Sequence, residues 1–576
     1  MQTISTDVLV VGGGATGAGA LRDLAMRGIR AILVEKGDLT HGTTGRYHGL
    51  LHSGGRYVVK DPQSATECAV ENEILRKIMP ACLEDTGGYF VITPWDDPDY
   101  GDRFVAACHQ TGVPVQEVTV AEALKREPLL NPQISRAFAV RDGAADAFMS
   151  THANAISARE YGAEVLNYHS VIGMDRQGDR VVATIVEDLR TGEHKRIEAA
   201  YVLNAAGAWA GKIAGFAGVT VTVVPGKGTM VAMNHRMVNT VINRCKLPDD
   251  GDIIVPIRSV AVIGTTDIHV PDPDVYGIDA EEIQFMMDEG EKLVPGFQHY
   301  RALRAWAGVR PLYKDQDTTS DRDISRTYKL LDHRERDGVD GIMSIVGGKW
   351  TTYRLMAEEA VDEIAKRLGV NKPCRTAEEP LPLPTTETGG ILRQVNGRPS
   401  LRPQTSLFWM GQPLYNVEKN HAYNELICEC ELVTRERIEA AIASGIKNLD
   451  DIRRDVRMGM GPCQGGWCIY RTTALLFEHE TATRDGEQAS TNGAAEPAAA
   501  DTGAMARHSN DALLHFLQER WKGLTPVLWG DQLRQARIDE LIYEGVLGVQ
   551  RLRPIAEQGG GMVTDHPAVA TEYVKA

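Results

Sequence analysis

The sequence predicts an α/β protein: an N-terminal dinucleotide-binding unit continued by strand-and-turn signals, then a small, mostly helical C-terminal module built around cysteines. Three observations predict it. A glycine fingerprint, Gly12-x-Gly14-x-x-Gly17, stands between an apolar run and a segment with helical spacing. Strand-turn signals recur far downstream at 201–207 and 260–267. Four of the nine cysteines gather late in the chain as Cys428-x-Cys430 and Cys463-x4-Cys468.

Each element follows from local pattern. Asp7 to Val11 is a short apolar strand. Ala18, Leu21, Leu24 and Ala25 recur at helical spacing, and Gly28 ends that helix. Ile29 to Val34 reads as the second strand, with Glu35 at its end. In this Rossmann-like βαβ grammar Gly12 permits the tight turn, Gly14 lets backbone approach a pyrophosphate, and Gly17 allows close helix packing. The helix N-terminus then faces the phosphates, and Glu35 is positioned to accept from a ribose hydroxyl. The fingerprint alone does not separate FAD from NAD.

Downstream, Tyr201 to Gly207 reads as an apolar strand, and Val260 to Thr266 ends in Gly-Thr-Thr-Asp267. Gly347-Gly-Lys-Trp-Thr-Thr352 opens a helix rich in Ala and Glu. Residues 1–374 are thus expected to form one oxidoreductase domain, with nucleotide-binding segments near 1–60, 198–212 and 340–370. A connector follows at 375–424, then the cysteine module at 425–475, with an amphipathic helix within 433–446. Residues 476–510 are expected as a flexible linker, because 482–510 is rich in Ala, Thr, Glu and Asp without periodicity. Residues 511–576 regain helical spacing through Leu513, Leu514, Phe516, Leu517 and Trp521. No internal repeat is present.

The chain has 576 residues, a net charge of −16, and 43% hydrophobic and 24% charged residues, a globular composition. No basic block supports nucleic-acid binding. No run reaches the ~18 consecutive apolar residues of a membrane span, and the N-terminus lacks the basic region of a signal peptide. Cytoplasmic residence is the expectation. In that compartment Cys68, Cys82, Cys108, Cys245 and Cys374 are expected as buried thiols, not disulfides.

Four close thiolates fit a tetrahedral zinc site or an iron–sulfur cluster. Cys-x-Cys is an unusual zinc-ribbon spacing. Gly459, Gly461, Gly465 and Gly466 around the second pair give backbone room and N–H donors for a cluster. A redox cofactor on the same chain favours the cluster over zinc, with Cys428, Cys430, Cys463 and Cys468 as ligands.

Directly after the second strand comes a loop rich in Gly, His and Arg, His41-Gly-Thr-Thr-Gly-Arg46 and His48-Gly-Leu-Leu-His-Ser-Gly-Gly-Arg-Tyr57. It resembles the flavin-covering loop of the FAD-dependent glycerol-3-phosphate dehydrogenase and D-amino-acid oxidase superfamily. Asn204 to Trp209 resembles that superfamily's second nucleotide-contacting strand. Trp306-Ala-Gly-Val-Arg-Pro-Leu312 and Val346-Gly-Gly-Lys-Trp-Thr-Thr-Tyr353 resemble motifs of its glycerol-3-phosphate dehydrogenases. The cysteine module resembles a 2Fe–2S domain of bacterioferritin-associated ferredoxin type, and the resemblance covers essentially the whole chain.

The resemblance implies a Rossmann-like FAD-binding domain with an antiparallel-sheet substrate domain. It implies FAD contacts at Gly12, Gly14, Gly17, Glu35, Thr44, Gly45, Arg46, Ala206, Gly207, Gly347 and Gly348. It puts His52, Arg56 and Tyr57 at the substrate, sn-glycerol 3-phosphate, which would be oxidised to dihydroxyacetone phosphate with hydride passing to flavin. Electrons would leave through a 2Fe–2S cluster to two further subunits, one flavin-related and one an iron–sulfur membrane anchor, and on to a quinone. Membrane association would then be peripheral, at the inner face, through those partners.

The residue chemistry agrees. Arg56, Arg310 and Lys349 lie in glycine-rich blocks, where a basic side chain can reach a phosphate. His52 is the candidate for proton transfer, with His48 as its competitor. Arg310 is an alternative catalytic element, stabilising negative charge on the C2 oxygen. Thr265-Thr-Asp267 is expected at the flavin or as a plain strand-ending turn. Two rival readings are another FAD-dependent 2-hydroxy acid or amine dehydrogenase, and a non-catalytic assembly subunit with structural zinc.

Overall fold

A computed structural model describes residues 1–314, 327–382, 414–415, 417–419, 425–491 and 499–552, without the side chains of 483–502. The predicted βαβ unit is present as β1 (Gln2–Val11), α1 (Ala15–Met26) and β2 (Ala31–Glu35). β1 starts earlier than its apolar run. Gln2 to Thr6 pair with Lys195 to Ala199 of the strand His194–Asn204, a register that local periodicity does not reveal. Gly28 closes α1 at φ +77°, a left-handed turn that glycine adopts without the Cβ penalty.

β1 and β2 lie in a parallel array in the order Glu164–Asn167, β2, β1, His194–Asn204, Ile342–Gly347. An antiparallel strand, Tyr328–Asp332, borders the last of these. Helices Ala147–Glu160 and Tyr353–Arg367 pack with α1 on one face. Leu21 and Leu24 of α1 are fully buried there, each worth about 1.5–3 kcal/mol. The phosphate-facing end of α1 is thereby held rigidly beside the carboxyl ends of the strands.

The second sheet is antiparallel apart from one parallel pair, Val241–Arg244 with Gly88–Ile92. Its spine is Val223–Met233 against Ala302–Tyr313, which brings Gly226 opposite Arg310 and Gly228 opposite Gly308. Both glycines of the second pair leave space. A Cβ on Gly228 would meet the Arg310 guanidinium at 2.6 Å, and one on Gly308 would meet the Arg46 carbonyl oxygen at 2.3 Å. The loop after β2 can therefore lie flat on this strand, and Thr43 Oγ1 donates to the Val309 carbonyl at 2.6 Å.

The cysteine module contains the strand Leu426–Cys428 and the helices Arg435–Ala443 and Leu449–Val456. The first of these helices lies within the stretch predicted for it. Much of the expected connector 375–424 falls outside the described residues. The expected linker is corrected at both ends: one helix runs Cys468–Thr491 and the next Ala499–Leu524. Residues rich in Ala and Glu extend a helix already started by a packed segment, because propagation needs no hydrophobic periodicity. Among the described residues no helix is long and apolar enough to cross a membrane.

Candidate active site

A cavity of about 1140 Å³ runs from the glycine fingerprint to Arg310 and Lys349. At one end α1 begins at Gly14 with no side-chain cap of its own and no acid in its first turn. Apart from the Ala15 N–H, its first N–H groups are thus left for an anion. Thr44 Oγ1 accepts from the Ala15 N–H at 3.1 Å, anchoring the covering loop to this helix end. Glu35 accepts from the Gly13 and Gly37 N–H groups at 2.7 and 2.9 Å, with lone pairs left for a ribose hydroxyl. A Cβ on Gly12 would meet the Ala205 carbonyl oxygen at 2.6 Å. These features fit the adenosine diphosphate part of FAD.

Gly12, Gly14, Glu35, Thr44, Arg46, Ala206, Gly207, Gly347 and Gly348 all line the cavity. Gly17 and Gly45 do not. A Cβ on Gly45 would meet the Thr40 carbonyl oxygen at 2.4 Å and Phe148 at 2.8 Å, so its role is packing behind the covering loop. Arg46 donates to the Tyr276 hydroxyl at 2.6 Å, which donates in turn to the Ala307 carbonyl at 3.3 Å and so ties the loop to the second sheet.

The other end of the cavity gathers His52, Arg56, Tyr57, Arg310 and Lys349, together with His48. Arg56 pairs with Asp252 at 2.7 Å and donates to the Asp249 carbonyl at 2.9 Å. Arg310 pairs with Asp267 at 2.9 Å, and also bonds Thr265 and the Thr266 carbonyl. The Thr265–Asp267 turn is thus both a strand end and the clamp that aims Arg310. Lys349 donates to Ser64 Oγ at 2.8 Å, with its ammonium 4.6 Å from the Tyr57 ring centre. Asp252 and Ser64 were not legible as site residues, since each acts across more than a hundred positions of sequence; Asp267 was expected at the flavin or in a turn, but not as the partner of Arg310.

The two histidines differ. His48 Nδ1 accepts from the Leu50 N–H at 3.2 Å, which assigns the proton of the neutral ring to Nε2. The His52 ring lies 5.3 Å from Tyr57 and 6.0 Å from His48. Burial, then the charges of Arg56 and Arg310, push His48 down to about 3. Burial, then His48, Arg56 and Lys349, hold His52 well below the usual imidazole range. Both rings are therefore neutral at pH 7, one oriented as a donor and the other available as an acceptor.

Cys428, Cys430, Cys463 and Cys468 converge. Sγ of Cys430 lies 3.8 Å from that of Cys428 and 3.6 Å from that of Cys463. A tetrahedral ion with ~2.3 Å bonds to sulfur has an S···S edge of ~3.8 Å, an edge common to zinc and to each iron of a cluster. Hydrogen bonding by the neighbouring Cys430 and Cys468 thiols, then by the backbone N–H groups of Gly459 and Glu431 at Cys428 and of Gly465 and Trp467 at Cys463, holds both of these sulfurs toward thiolate. A Cβ on Gly461 would meet Cys430 Sγ at 2.7 Å, so Gly461 makes room at the thiolates, whereas Gly459 and Gly465 pack against Phe516. The scattered cysteines are free thiols, and all but the half-buried Cys374 are buried.

A buried ion network that sequence reasoning missed seats this centre on the oxidoreductase domain. Arg457 contacts Glu431 at 3.1 Å and Asp146 at 3.2 Å, and Ser259 donates to Glu431 at 2.8 Å. Arg301 reaches the Pro462 carbonyl at 2.7 Å. No local pattern marks these residues.

The family described as FAD dependent oxidoreductase matches residues 7–354, and the BFD-like [2Fe-2S] binding domain matches residues 426–478. An anaerobic glycerol-3-phosphate dehydrogenase subunit of Escherichia coli (strain K12) is 40% identical over 554 residues, covering 95% of this chain and 98% of that protein. The anaerobic glycerol-3-phosphate dehydrogenase subunit of the same type from Haloferax volcanii is 42% identical over 558 residues, covering 94% and 91%. The solved glycerol-3-phosphate dehydrogenase of Bacillus halodurans, complexed with FAD, shares the fold at a TM-score of 0.61 and 19% identity, covering 91% of this chain and 96% of that one. The domain match spans all four cysteines and shows a 2Fe–2S-binding module, so the cofactor there is a 2Fe–2S cluster in place of zinc. The chain belongs to the anaerobic glycerol-3-phosphate dehydrogenase family, as the type that joins an FAD-dependent dehydrogenase to a BFD-like [2Fe-2S] binding domain.

Proposed function

We propose that this chain oxidises sn-glycerol 3-phosphate to dihydroxyacetone phosphate as the catalytic component of a quinone-linked complex. The observation that carries this reading is the convergence of Arg56, Arg310 and Lys349 with two neutral histidines on the cavity that holds the glycine fingerprint. A phosphate dianion calls for two cations such as Arg56 and Lys349, with Arg310 left for the C2 oxygen, whereas the single carboxylate of a 2-hydroxy acid is met by one arginine.

When bound, FAD supplies hydride acceptance and the 2Fe–2S cluster supplies one-electron transfer. The chain's own residues do the rest. Arg56, held by Asp252, and Lys349, held by Ser64, bind the phosphate. His52 accepts the proton of the C2 hydroxyl, which its neutral ring permits at pH 7. Arg310, aimed by the Thr265–Asp267 turn, stabilises the negative charge that develops on the C2 oxygen. His48 presents Nε2–H as a hydrogen-bond donor to the same site.

Both anaerobic relatives are named as one subunit of their dehydrogenase, which supports a multi-subunit assembly. We assign to it one flavin-related partner and one iron–sulfur membrane anchor, which would hold this chain at the inner face of the membrane and deliver electrons to quinone. Anaerobic titration of the loaded protein tests the activity. Stoichiometric sn-glycerol 3-phosphate is expected to bleach the flavin absorbance and raise the paramagnetic signal of a reduced cluster. Saturable bleaching by a 2-hydroxy acid or an amine, with none by glycerol 3-phosphate, would transfer the assignment to those substrates.

A further inference from the structure

Several guanidinium groups that hold the cysteine loops carry carboxylates of their own. Arg457 is met by Glu431 and Asp146, and Arg471 by Glu429 at 2.7 Å. Arg520 donates to the Gln464 carbonyl at 2.7 Å and pairs with Asp539 at 2.6 Å. Arg301 differs. It donates to the Pro462 carbonyl at 2.7 Å, and among the described residues no carboxylate lies within ion-pair distance of it.

Arg301 also comes from outside the cysteine module. It stands just before the strand Ala302–Tyr313 of the second sheet, and the residue it bonds, Pro462, immediately precedes Cys463. Burial disfavours its charge, and Asp539, then Cys463 and Asp531, favour it from further off. Asp539 already cancels Arg520. Arg301 therefore leaves the loop from Pro462 to Gly466 with net positive charge before the thiolates are counted. A partly buried cation needs compensating negative charge, and a centre held by four thiolates supplies it. An added electron makes that centre more negative still, so it is harder to reduce than one with histidine ligands. A fixed cation beside it favours the reduced form.

We infer that Arg301 raises the reduction potential of the 2Fe–2S centre, as a fixed charge supplied by the oxidoreductase domain. The centre's potential is thus complete only when the cysteine module is seated on that domain. The inference rests on the cluster and electron-exit reading above, in which the centre must accept electrons that a substrate alcohol has released. Arg301 touches neither flavin nor substrate and acts through its position at the ligand loop.

A mediator-poised redox titration of the full-length, cofactor-loaded protein tests it. Dithionite is the reductant, no glycerol 3-phosphate is present, and the paramagnetic signal of the reduced cluster is read. Arg301→Gln keeps a donor for the Pro462 carbonyl and removes the charge. At the potential where the parent is half reduced, its reduced-to-oxidised ratio is expected to fall about tenfold, ~59 mV for a one-electron couple. One charge acting over ~10 Å at an effective dielectric of ~20 has this size. Arg301→Lys is expected to stay within about twofold of the parent, because lysine keeps the charge. Asp539→Asn, which leaves Arg520 uncancelled, is expected to raise the ratio, and it tests the sign even where Arg301→Gln loses its iron. An unchanged ratio in Arg301→Gln, an equal fall in Arg301→Lys, or no rise in Asp539→Asn overturns the proposal. Loss of the cluster from both Arg301 variants would make Arg301 a structural strut and overturn it too. A parent without a paramagnetic reduced state overturns the proposal together with the cluster reading. Flavin left unbleached by glycerol 3-phosphate in a parent whose cluster titrates counts against the proposed activity alone, so the two failures are distinguishable.

Discussion

A methyl group on Gly17 would lie 1.9 Å from the carbonyl oxygen of Gly12. The contact is backbone to backbone, so no side chain can give way. It joins the first turn of α1 to the loop that leaves β1, and so sets the anion-facing end of the cavity. Gly17→Ala is expected to yield protein without flavin absorbance, whereas Gly277→Ala, where a Cβ meets nothing within 4 Å, is expected to retain it. Normal flavin content in Gly17→Ala would refute this account of the turn.

His52→Asn is expected to lower kcat by roughly 10²–10⁴ while leaving flavin bound, the usual scale for a general base. His48→Asn, which removes an oriented donor only, should cost less. Because His52 titrates well below 6.5, the acid limb of the kcat/KM profile is expected below that value. A limb at or above 6.5 that survives in His52→Asn would assign the base elsewhere.

Arg56 and Asp252 form a mostly buried pair, with side chains 16% and 1% exposed. Removing either partner leaves a charge uncompensated, at a cost of about 3–5 kcal/mol. Asp252→Ala is therefore expected to lower the melting temperature as well as affinity. Arg56→Ala should raise KM for glycerol 3-phosphate at least about tenfold, and Arg56→Lys should not restore it, since lysine lacks the planar fork. Restoration by lysine would reduce Arg56 to a point charge.

Cys430→Ala is expected to abolish the cluster's paramagnetic signal and its iron, while flavin bleaching by substrate persists. In the parent protein, two irons and two acid-labile sulfides per chain are expected. One zinc and no sulfide would reverse the assignment.

The neutral histidines also predict a pH dependence of stability. Folded His48 takes a proton only near pH 3, whereas the unfolded chain takes it near 6.5. As pH falls below 6.5 the unfolded state binds more protons, so this group's contribution turns against folding by up to about 1.4 kcal/mol per pH unit. His48→Gln is therefore expected to gain stability relative to the parent between pH 7 and 5, read by denaturant midpoints. Parallel curves would contradict a neutral His48.

Much of this protein is written locally. The βαβ unit, the covering loop and the cysteine quartet are contiguous patterns, because a tight turn, a phosphate cradle and a metal centre each demand particular residue types at short spacing. The paired Gly228 and Gly308 carried a weaker signal, since a glycine in a strand does not state which neighbour it makes room for. The linker expectation failed at its ends for the opposite reason: helix propagation through Ala and Glu needs no pattern at all.

By itself the sequence determined the cofactor-binding grammar, the cation and histidine candidates and the four thiolates. Only the tertiary structure decided how they work together. It holds Arg56 with Asp252 and Arg310 with Asp267, distinguishes His48 from His52 by one backbone N–H, and seats the cysteine loop through Arg457 on Glu431 and Asp146. These are contacts between distant segments. Their energies depend on burial and mutual orientation, and no local spacing encodes either.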